Sequence, residues 1–364
     1  MSKLYYKYGN GKSADLCETA YNYEEANAYL NDKDKRHVLV INAYDDKEIM
    51  SKYMAGDNKN PILTRKVDIK LSSINSLFDE VYSRMLNGIK IAAILVDNSQ
   101  YLSVQHAEDL FFIVNLLDIP VIAYGDRTLR GDVYSAGAMR LMELSNTIEE
   151  IDEENLKKRK KAKGAKLEFY YGAMNSSKTA KLLYKADELE KAGFNVFLMK
   201  PFSDRDPSMI TSRIGMQAKA DLVIDNNTKL YGEGEYLLRK HINYILVDEA
   251  QFLTERQIDE LRQIVRDYDI PVRCYGLKVD FLSNHFTGSG RLLETADSLV
   301  KLRTICPCGE GAIFNARINS NGEYQKSGSQ VVIDNGGNYI SICPKCFIEN
   351  VMNEKVPKVY RKVR

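Results

Sequence analysis

Residues Ile245 to Phe252 read ILVDEAQF, an apolar run that ends in two adjacent acids. Such a run is typical of a buried parallel strand, and parallel sheets bind their ligands at the carboxyl ends of the strands. Asp248 is therefore placed to reach a magnesium ion, and Glu249 is placed to accept a proton. Thr254 and Gln257 have the spacing of a capping box, which predicts a helix directly after the strand.

The chain has 364 residues, enough for two domains, and a formal net charge of +1. A charge so near zero provides no bulk attraction to nucleic acid or to an anionic membrane, and neither is expected as a partner. The N-terminal segment lacks the apolar run of a secretory signal, and no stretch approaches the roughly 18 apolar residues of a membrane span. We therefore expect a cytoplasmic protein.

The central stretch has an earlier counterpart, since Ile94 to Tyr101 reads ILVDNSQY. The match continues without a gap when residues 94–151 are laid over residues 245–302, and a repeat of this length predicts duplicated domains. A charged segment separates the two copies. The predicted divisions are a degenerate first copy over residues 1–150, a linker over 151–165, the core of the second copy over 166–304 and a cysteine-containing lobe over 305–364.

The second copy alternates strands with a helix. Its pattern predicts a strand over Lys166–Tyr171, a helix over Ala180–Ala192 capped by Gly193, and a strand over Phe194–Met199. Alternation of this kind predicts an α/β fold with a parallel sheet, flanked by helices. The loop after Tyr171 and the two acids therefore lie at the same edge of the sheet.

Residues Gly172 to Thr179 read GAMNSSKT and resemble the phosphate-loop pattern, from which they depart once, at Ser177. Such a loop wraps phosphates with backbone N–H groups, while Lys178 reaches the terminal phosphates and the Thr179 hydroxyl binds magnesium. Because Ser177 has a Cβ, we expect a negative φ there or a strained backbone. The alternative is a polar turn that opens an ordinary helix. The predicted nucleotide-binding residues are Gly172, Asn175, Ser176, Ser177, Lys178, Thr179 and Asp248.

The two acids have different expected roles. Asp248 would organise magnesium, and Glu249 would accept the proton of an attacking hydroxyl group. The alternative is an ATPase in which both acids bind the metal through water. The first copy has Asp97 and Asn98 instead, and asparagine cannot act as a base.

Four of the six cysteines occur in two close pairs, C-P-C and C-P-K-C. Without a secretory signal, this clustering favours a tetrahedral zinc site over disulfides, although a metal-free lobe with reduced thiols is the alternative. The C-P-C pair is expected to be extended, because residues i and i+2 of an extended segment share a face. The predicted ligands are Cys306, Cys308, Cys343 and Cys346.

Several segments together resemble the type II, zinc-containing thymidine kinase family. They are YGAMNSSKT, ILVDEAQF, YGLKVDF at Tyr275–Phe281, SGRLLETAD at Ser289–Asp297, the cysteine pairs and the terminal GGNYISICPKC. The resemblance covers Lys166 to about Phe347. It implies a P-loop, RecA-like parallel sheet, here expected twice, with a small zinc lobe and a lasso loop. It also implies transfer of the γ-phosphate of ATP, with Mg²⁺, to the 5′-hydroxyl of thymidine.

The resemblance assigns roles residue by residue. Glu249 would be the catalytic base, and Lys178 would act on the phosphates. The lasso would contact the base through its backbone and the sugar through a tyrosine. Ordinary core packing is the alternative for Phe252 and Leu277, and a simple hairpin turn is the alternative for Gly336 and Gly337. The implied nucleoside-binding residues are Met174, Phe252, Leu277, Phe281, Gly336, Gly337 and Tyr339.

The first copy has a shortened loop, YGNGKS at Tyr8–Ser13, with too few N–H groups for a triphosphate. We therefore expect it to be inactive and to serve assembly, so that two chains form a pseudo-tetramer, since members of the resembled family are tetramers. Regulatory nucleotide binding by this half is the alternative. For the whole chain, the competing function is a P-loop ATPase or nucleotide-binding regulator with a structural zinc ribbon.

Overall fold

A computed structural model describes residues 2–9, 12–27, 35–44, 48–50, 64–74, 76–130, 132–151, 164–202, 208–233, 237, 241–319, 321–330 and 338–357. The chain divides into two compact units. Unit 1 comprises Met1–Lys161 with Glu354–Arg364, and unit 2 comprises Ala162–Asn353. No helix among the described residues is long and apolar enough to cross a bilayer.

Unit 1 is built on a six-stranded parallel sheet with the strand order β5-β2-β6-β7-β1-β8. Its elements are β1 Leu4–Gly9, α1 Lys12–Asn27, β2 His37–Asn42, β3 Glu48–Met50, β4 Thr64–Lys66, β5 Ile69–Lys70, α2 Leu77–Leu86, β6 Ile91–Asp97, α3 Val104–Leu116, β7 Val121–Tyr124, α4 Ala136–Leu144 and β8 Thr147–Ile151. Strands β3 and β4 form a separate antiparallel pair.

Unit 2 has a second six-stranded parallel sheet, with the order β13-β10-β14-β15-β9-β16. Its elements are β9 Leu167–Gly172, α5 Lys178–Lys191, β10 Val196–Pro201, β11 Met209–Thr211, β12 Gln217–Lys219, β13 Leu222–Ile224, β14 Tyr244–Val247, α6 Glu255–Tyr268, β15 Val272–Leu277, α7 Thr287–Thr295, β16 Ser298–Lys301, β17 Phe314–Ile318, β18 Asn338–Ile342 and α8 Pro344–Asn350. Strand for strand, this order corresponds to that of unit 1.

The predicted strands and helix of unit 2 are present with ends shifted by one or two residues. The central strand β14 buries Ile245, Leu246 and Val247 completely, which explains its uninterrupted apolar sequence. Helix α5 packs Leu182 on one face of the sheet, against Leu246. The α/β class predicted from the alternating pattern is confirmed.

Local signals account for the helix ends. Thr254 and Gln257 form the predicted capping box at the start of α6, with each side chain bonded to the other residue's backbone N–H. Gly193 follows the end of α5 with φ +85°, a conformation that glycine adopts without steric conflict. These caps fix where each helix meets the sheet and therefore where its adjoining loop lies.

Each unit also holds an arginine between two acids. In unit 1, Arg140 lies 2.7 Å from both Glu108 and Glu143. In unit 2, Arg291 lies 2.7 Å from Asp259 and 3.0 Å from Glu294. The three positions correspond in the ungapped alignment of the two sequence segments.

Candidate active site

The candidate site lies where three neighbouring strands of unit 2 end. Strand β15 pairs with β9 so that Leu277 lies opposite Gly172, and it pairs with β14 through Val247 and Cys274. The phosphate-loop sequence follows β9, and the two acids follow β14. The parallel register therefore brings the loop and the acids to one edge of the sheet, as their positions in the sequence predict.

The loop from Gly172 to Lys178 is tightly folded. A Cβ at Gly172 would lie 2.4 Å from Ser176 Oγ and 2.9 Å from Leu302 O, so glycine is required there. Asn175 and Ser177 both have left-handed backbones, with φ of 61° and 58°. The negative φ that would have avoided strain at Ser177 is therefore not adopted. The left-handed conformation costs about 1–2 kcal/mol for a residue with a Cβ.

Lys178 lies inside this loop. Its side chain is buried, and its Nζ donates to Ala173 O at 3.0 Å. Burial lowers its pKa, while the nearby carboxylates of Glu249 and Asp248 raise it and Arg213 lowers it further. Lys178 and both acids therefore interact electrostatically. A phosphate bound in this loop would lie close to the Lys178 ammonium group.

Asp248 and Thr179 form a pair of oxygen donors. Thr179 Oγ1 lies 3.2 Å and 3.1 Å from the two carboxylate oxygens of Asp248, which is almost fully buried. Burial and the neighbouring Glu249 raise the pKa of Asp248 to about 7, against the opposing effects of Thr179 and Lys178. Converging hydroxyl and carboxylate oxygens are the ligands that Mg²⁺ prefers.

Glu249 is half-buried and has a left-handed backbone, with φ 50° and ψ 37°. Its carboxylate accepts a hydrogen bond from Gln251 Nε2. The other end of that amide, Gln251 Oε1, accepts the backbone N–H of Leu277 at 3.0 Å. Gln251 thus ties the carboxylate to the end of β15 and restricts its orientation.

The predicted nucleoside-pocket residues differ in exposure. Leu277 and Phe281 are buried, whereas Phe252 is 42 % exposed and packs edge-on against Phe286 at 5.7 Å. The guanidinium of Arg317 lies 3.8 Å from the centroid of the Phe281 ring. An exposed aromatic ring beside the acids remains accessible to a ligand.

The small sheet of β17 and β18 contacts the phosphate loop. Met174 N–H donates to Asn315 Oδ1 at 2.7 Å, and Ser341 Oγ donates to Met174 O. Tyr339 precedes Ser341 by two residues on β18, so the two side chains project from the same face of the strand. Gly336 and Gly337 lie outside the described residues.

The four predicted zinc ligands cluster in unit 2, with all four Sγ atoms within 4.8 Å of one another. Cys308 Sγ lies 3.3 Å from Cys306 Sγ and 3.6 Å from Cys343 Sγ. A tetrahedral site with Zn–S bonds of about 2.3 Å requires sulfur separations of about 3.8 Å. The two measured separations are slightly shorter than this, and the 4.8 Å limit on the others is compatible with it. The backbone N–H of Glu310 is the main group that lowers the pKa of Cys308, to about 7, and this favours the thiolate.

The segment between the first two cysteines is not extended as expected. Cys306 O accepts the N–H of Gly309 at 2.8 Å, and Cys306 N–H donates to Glu310 O at 2.8 Å. The chain therefore turns tightly, and Gly309 permits the turn with φ +92°. The turn, rather than a shared strand face, brings the two thiols together.

Four residues near the site were not assigned roles from the sequence: Arg213, Gln251, Asn315 and Ser341. Arg213 lies in the turn between β11 and β12, close enough to influence Lys178. An arginine at this position could contact a bound phosphate. In the sequence, Arg213 is recognisable only as a cation between two short strands. Asn315 and Ser341 have no such signal, because their contacts with Met174 span more than a hundred residues.

The corresponding edge of unit 1 is arranged differently. Lys12 Nζ lies 2.6 Å from Gly9 O and 2.6 Å from the carboxylate of Asp126, so its charge is neutralised internally. Asp126 aligns with Leu277 of unit 2. Asn98 has φ 53° and ψ 36° and occupies the position of Glu249.

Comparison with known proteins identifies a family for unit 2. The family profile described as thymidine kinase matches residues 165–347. The chain is 39% identical over 185 residues to the thymidine kinase of Enterobacteria phage T4, covering 50% of this chain and 94% of the phage protein. It is 38% identical over 187 residues to that of Shewanella oneidensis, covering 51% and 97%.

The thymidine kinase of Haemophilus influenzae is 40% identical over 182 residues, covering 49% of this chain and 94% of that protein. A solved structure of Bacteroides Pif1 bound to single-stranded DNA aligns with a TM-score of 0.22 and 13% identity over 38% of each chain. That score is too low to indicate a shared fold.

Proposed function

The chain belongs to the thymidine kinase family, and we propose that unit 2 transfers the γ-phosphoryl group of ATP to the 5′-hydroxyl of thymidine, giving dTMP and ADP. The observation that carries this assignment is that the loop containing Lys178 and the acids Asp248 and Glu249 follow two strands that both pair with β15, within the matched segment. The glutamine contact of Glu249 leaves its second oxygen available to a substrate hydroxyl.

The phosphate loop and Lys178 bind and orient the triphosphate. Backbone N–H groups from Asn175 to Thr179 surround the phosphates, and α5 presents its N-terminus to them, which favours negative charge. Lys178 then replaces its bond to Ala173 O with a contact to the terminal phosphates. Arg213 adds positive charge where negative charge develops on the transferred group.

Glu249 takes the proton of the 5′-hydroxyl as that oxygen attacks the γ-phosphorus. The new O5′–P bond forms while the bond from the γ-phosphorus to the bridging oxygen of ADP breaks. Gln251 keeps the carboxylate directed at the hydroxyl, so that little reorientation is required during transfer.

We also propose that Thr179 and Asp248 hold Mg²⁺, since their oxygens converge in a buried site. When bound, Mg²⁺ would neutralise negative charge on the phosphates. Burial disfavours the charged form of Asp248 in the protein alone, and a divalent cation would offset that effect.

The nucleoside is proposed to lie against Met174, Phe252, Leu277 and Phe281, with Tyr339 at the sugar. Gly336 and Gly337 would contact the base through their backbones. The exposed ring of Phe252 offers a stacking surface, while the buried side chains of Leu277 and Phe281 would form the floor of an apolar pocket suited to a pyrimidine. The four cysteines are proposed to bind a structural zinc ion, which leaves no open coordination position.

For the whole chain, we propose that unit 1 arose by duplication of a kinase domain and lost catalysis. Its matching strand order and its aligned arginine–acid groups support the duplication. The internally paired Lys12 supports the loss. We further propose that the protein forms a homodimer, in which the two inactive units complete a pseudo-tetramer. We also propose a cytoplasmic location.

Purified full-length protein tests the function directly. We expect dTMP to form from ATP and thymidine, and Glu249→Gln to reduce the rate by about 10²–10⁴-fold without loss of folding, as is usual when a general base is removed. ATP hydrolysis at the same rate with and without thymidine, and no dTMP, would instead indicate an ATPase. Light scattering that gives a monomer or a tetramer of full-length chains would contradict the proposed assembly.

A further inference from the structure

The backbone of Met174 is held on both sides by the small sheet of unit 2. Its N–H donates to Asn315 Oδ1 at 2.7 Å, and its carbonyl oxygen accepts the hydroxyl of Ser341. Asn315 and Ser341 are direct cross-strand partners on β17 and β18. One pair of facing residues therefore binds both polar groups of one phosphate-loop residue.

Both side chains are buried and fixed in orientation. Asn315 is 2 % exposed and Ser341 is 5 % exposed. Asn315 Nδ2 donates to Val279 O at 3.1 Å, which determines which end of the amide faces Met174. Because the amide uses both ends, Asn315 also connects the phosphate loop to the segment after β15. Water cannot readily replace bonds in such a site.

The residues after Met174 explain why the loop requires support. Asn175 and Ser177 both have left-handed backbones, which residues with a Cβ rarely adopt. The Ser177 side chain makes no capping bond to α5 that would favour this conformation. The bonds to Met174 therefore hold one end of a loop whose intrinsic preference is for a different conformation.

We propose that Asn315 and Ser341 are positioning residues that keep the phosphate loop in its nucleotide-binding conformation before ATP arrives. The inference rests on the proposed function for the identity of the ligand. A protein whose binding-competent conformation is only partly populated has an apparent affinity reduced by that fraction. Loss of either bond should therefore weaken ATP binding, although neither side chain contacts the nucleotide.

The primary test measures binding of a fluorescent ATP analogue, N-methylanthraniloyl-ATP, to full-length variants. Ser341→Ala and Asn315→Ala should each weaken binding about tenfold, while Ser341→Thr keeps the hydroxyl and should stay within about threefold of the parent. Thr295→Ala is the control, because it removes a bond from a hydroxyl to the carbonyl of Arg291 within α7, away from the loop. In the double variant, the loss of binding free energy should be smaller than the sum of the two single losses, since both bonds hold the backbone of one residue, Met174.

Kinetics distinguish positioning from a merely structural role. For Ser341→Ala, KM for ATP should rise about tenfold while kcat at saturating ATP stays within about threefold, because Glu249 and Gln251 are untouched. Unchanged affinity in Ser341→Ala, or an equal loss in Thr295→Ala, would overturn the inference even if Asn315→Ala failed to fold. Absence of dTMP synthesis in the parent would refute the proposed function alone, because the binding comparison does not depend on turnover.

Discussion

Asn98 and Glu249 adopt the same left-handed backbone conformation, with φ/ψ of 53°/36° and 50°/37°, each directly after an aspartate at the carboxyl end of a central strand. Asparagine is among the few residues that tolerate this conformation well. The position therefore demands an unusual backbone in both units, while only unit 2 supplies a carboxylate there. The proposed chemical role of Glu249 can therefore be tested separately from its backbone conformation.

Exchange of these residues tests that separation. Glu249→Asn should preserve folding, since asparagine suits the backbone, and should reduce dTMP formation by about 10²–10⁴-fold. The reciprocal Asn98→Glu is the matched control and should leave the rate unchanged. Restoration of activity in the double variant would contradict an inactive unit 1. Initial rates and circular dichroism provide the measurements.

Removal of the amide that orients Glu249 should affect turnover more than binding. Gln251→Ala should lower kcat about tenfold with little change in KM for thymidine, because the carboxylate loses its restraint but remains present. Gln100 provides a matched control in unit 1, where its Oε1 accepts the Asp126 N–H at 3.2 Å. An equal loss of kcat in Gln100→Ala would show that the effect is not specific to the site.

Ser177 should be replaceable by glycine with a gain in stability. Ser177→Gly relieves a positive φ and removes no capping bond, so we expect about 0.5–1 kcal/mol of stabilisation after the entropy of the unfolded chain is included. Urea denaturation measures the change. Gly193→Ser tests the reverse at φ +85°, where a loss of about 1 kcal/mol is expected. Destabilisation by Ser177→Gly would mean that the serine side chain has a compensating contact.

His106 should make the stability of unit 1 depend on pH. It occupies the capping-box position that Gln257 has in unit 2, and the Ser103 N–H donates to its Nδ1 at 3.5 Å. Burial lowers the pKa of His106, against the opposing effect of Asp109, so the native state binds fewer protons than the unfolded chain below about pH 6.5. The contribution of His106 to the free energy of unfolding is therefore fully present above about pH 6.5 and is lost as the pH falls.

His106→Gln should preserve the capping box and remove the titration. We expect the variant to match the parent at pH 8 and to exceed it at pH 5.5 by less than about 1 kcal/mol, since the residue is only half-buried. Thermal denaturation at both pH values provides the comparison. A parent and variant with parallel pH profiles would exclude His106 as the source.

The zinc content of the protein should depend on the four clustered cysteines and on no other cysteine. We expect about one zinc ion per chain by elemental analysis, with loss of the metal and a lower Tm after Cys308→Ser or exhaustive chelation. Cys17 lies in the core of unit 1, and Cys17→Ala should retain the metal. Equal metal content in the two cysteine variants would contradict the assignment.

Much of unit 2 was predictable because its signals are local. The apolar strand Ile245–Val247, the Thr254–Gln257 capping box and the loop before Lys178 each occupy a short continuous segment. Parallel pairing then brings the strand ends together without further information. The order of the loop and the acids along the chain was therefore sufficient to predict the edge of the sheet where they lie.

Other features depended on contacts that no local pattern records. The turn at Cys306 depends on Gly309, so the expectation of an extended dipeptide was wrong. The phosphate-loop sequence departs from its usual pattern at Ser177, and the sequence alone could not decide whether the backbone there has a positive φ. Asn315 and Ser341 reach Met174 across 141 and 167 residues, so only a three-dimensional structure reveals their bonds.

The pairing of Lys12 with Asp126 limits what single changes can do to unit 1. An acid introduced at position 98 would face a lysine whose charge is already satisfied, and removal of Asp126 alone would leave a shortened loop without a base. Neither change alone would therefore give unit 1 both the base and the unpaired lysine that the proposed mechanism uses. Under the proposed duplication, a return of activity to unit 1 would require several simultaneous changes, and this ion pair would act as a barrier to that reversal.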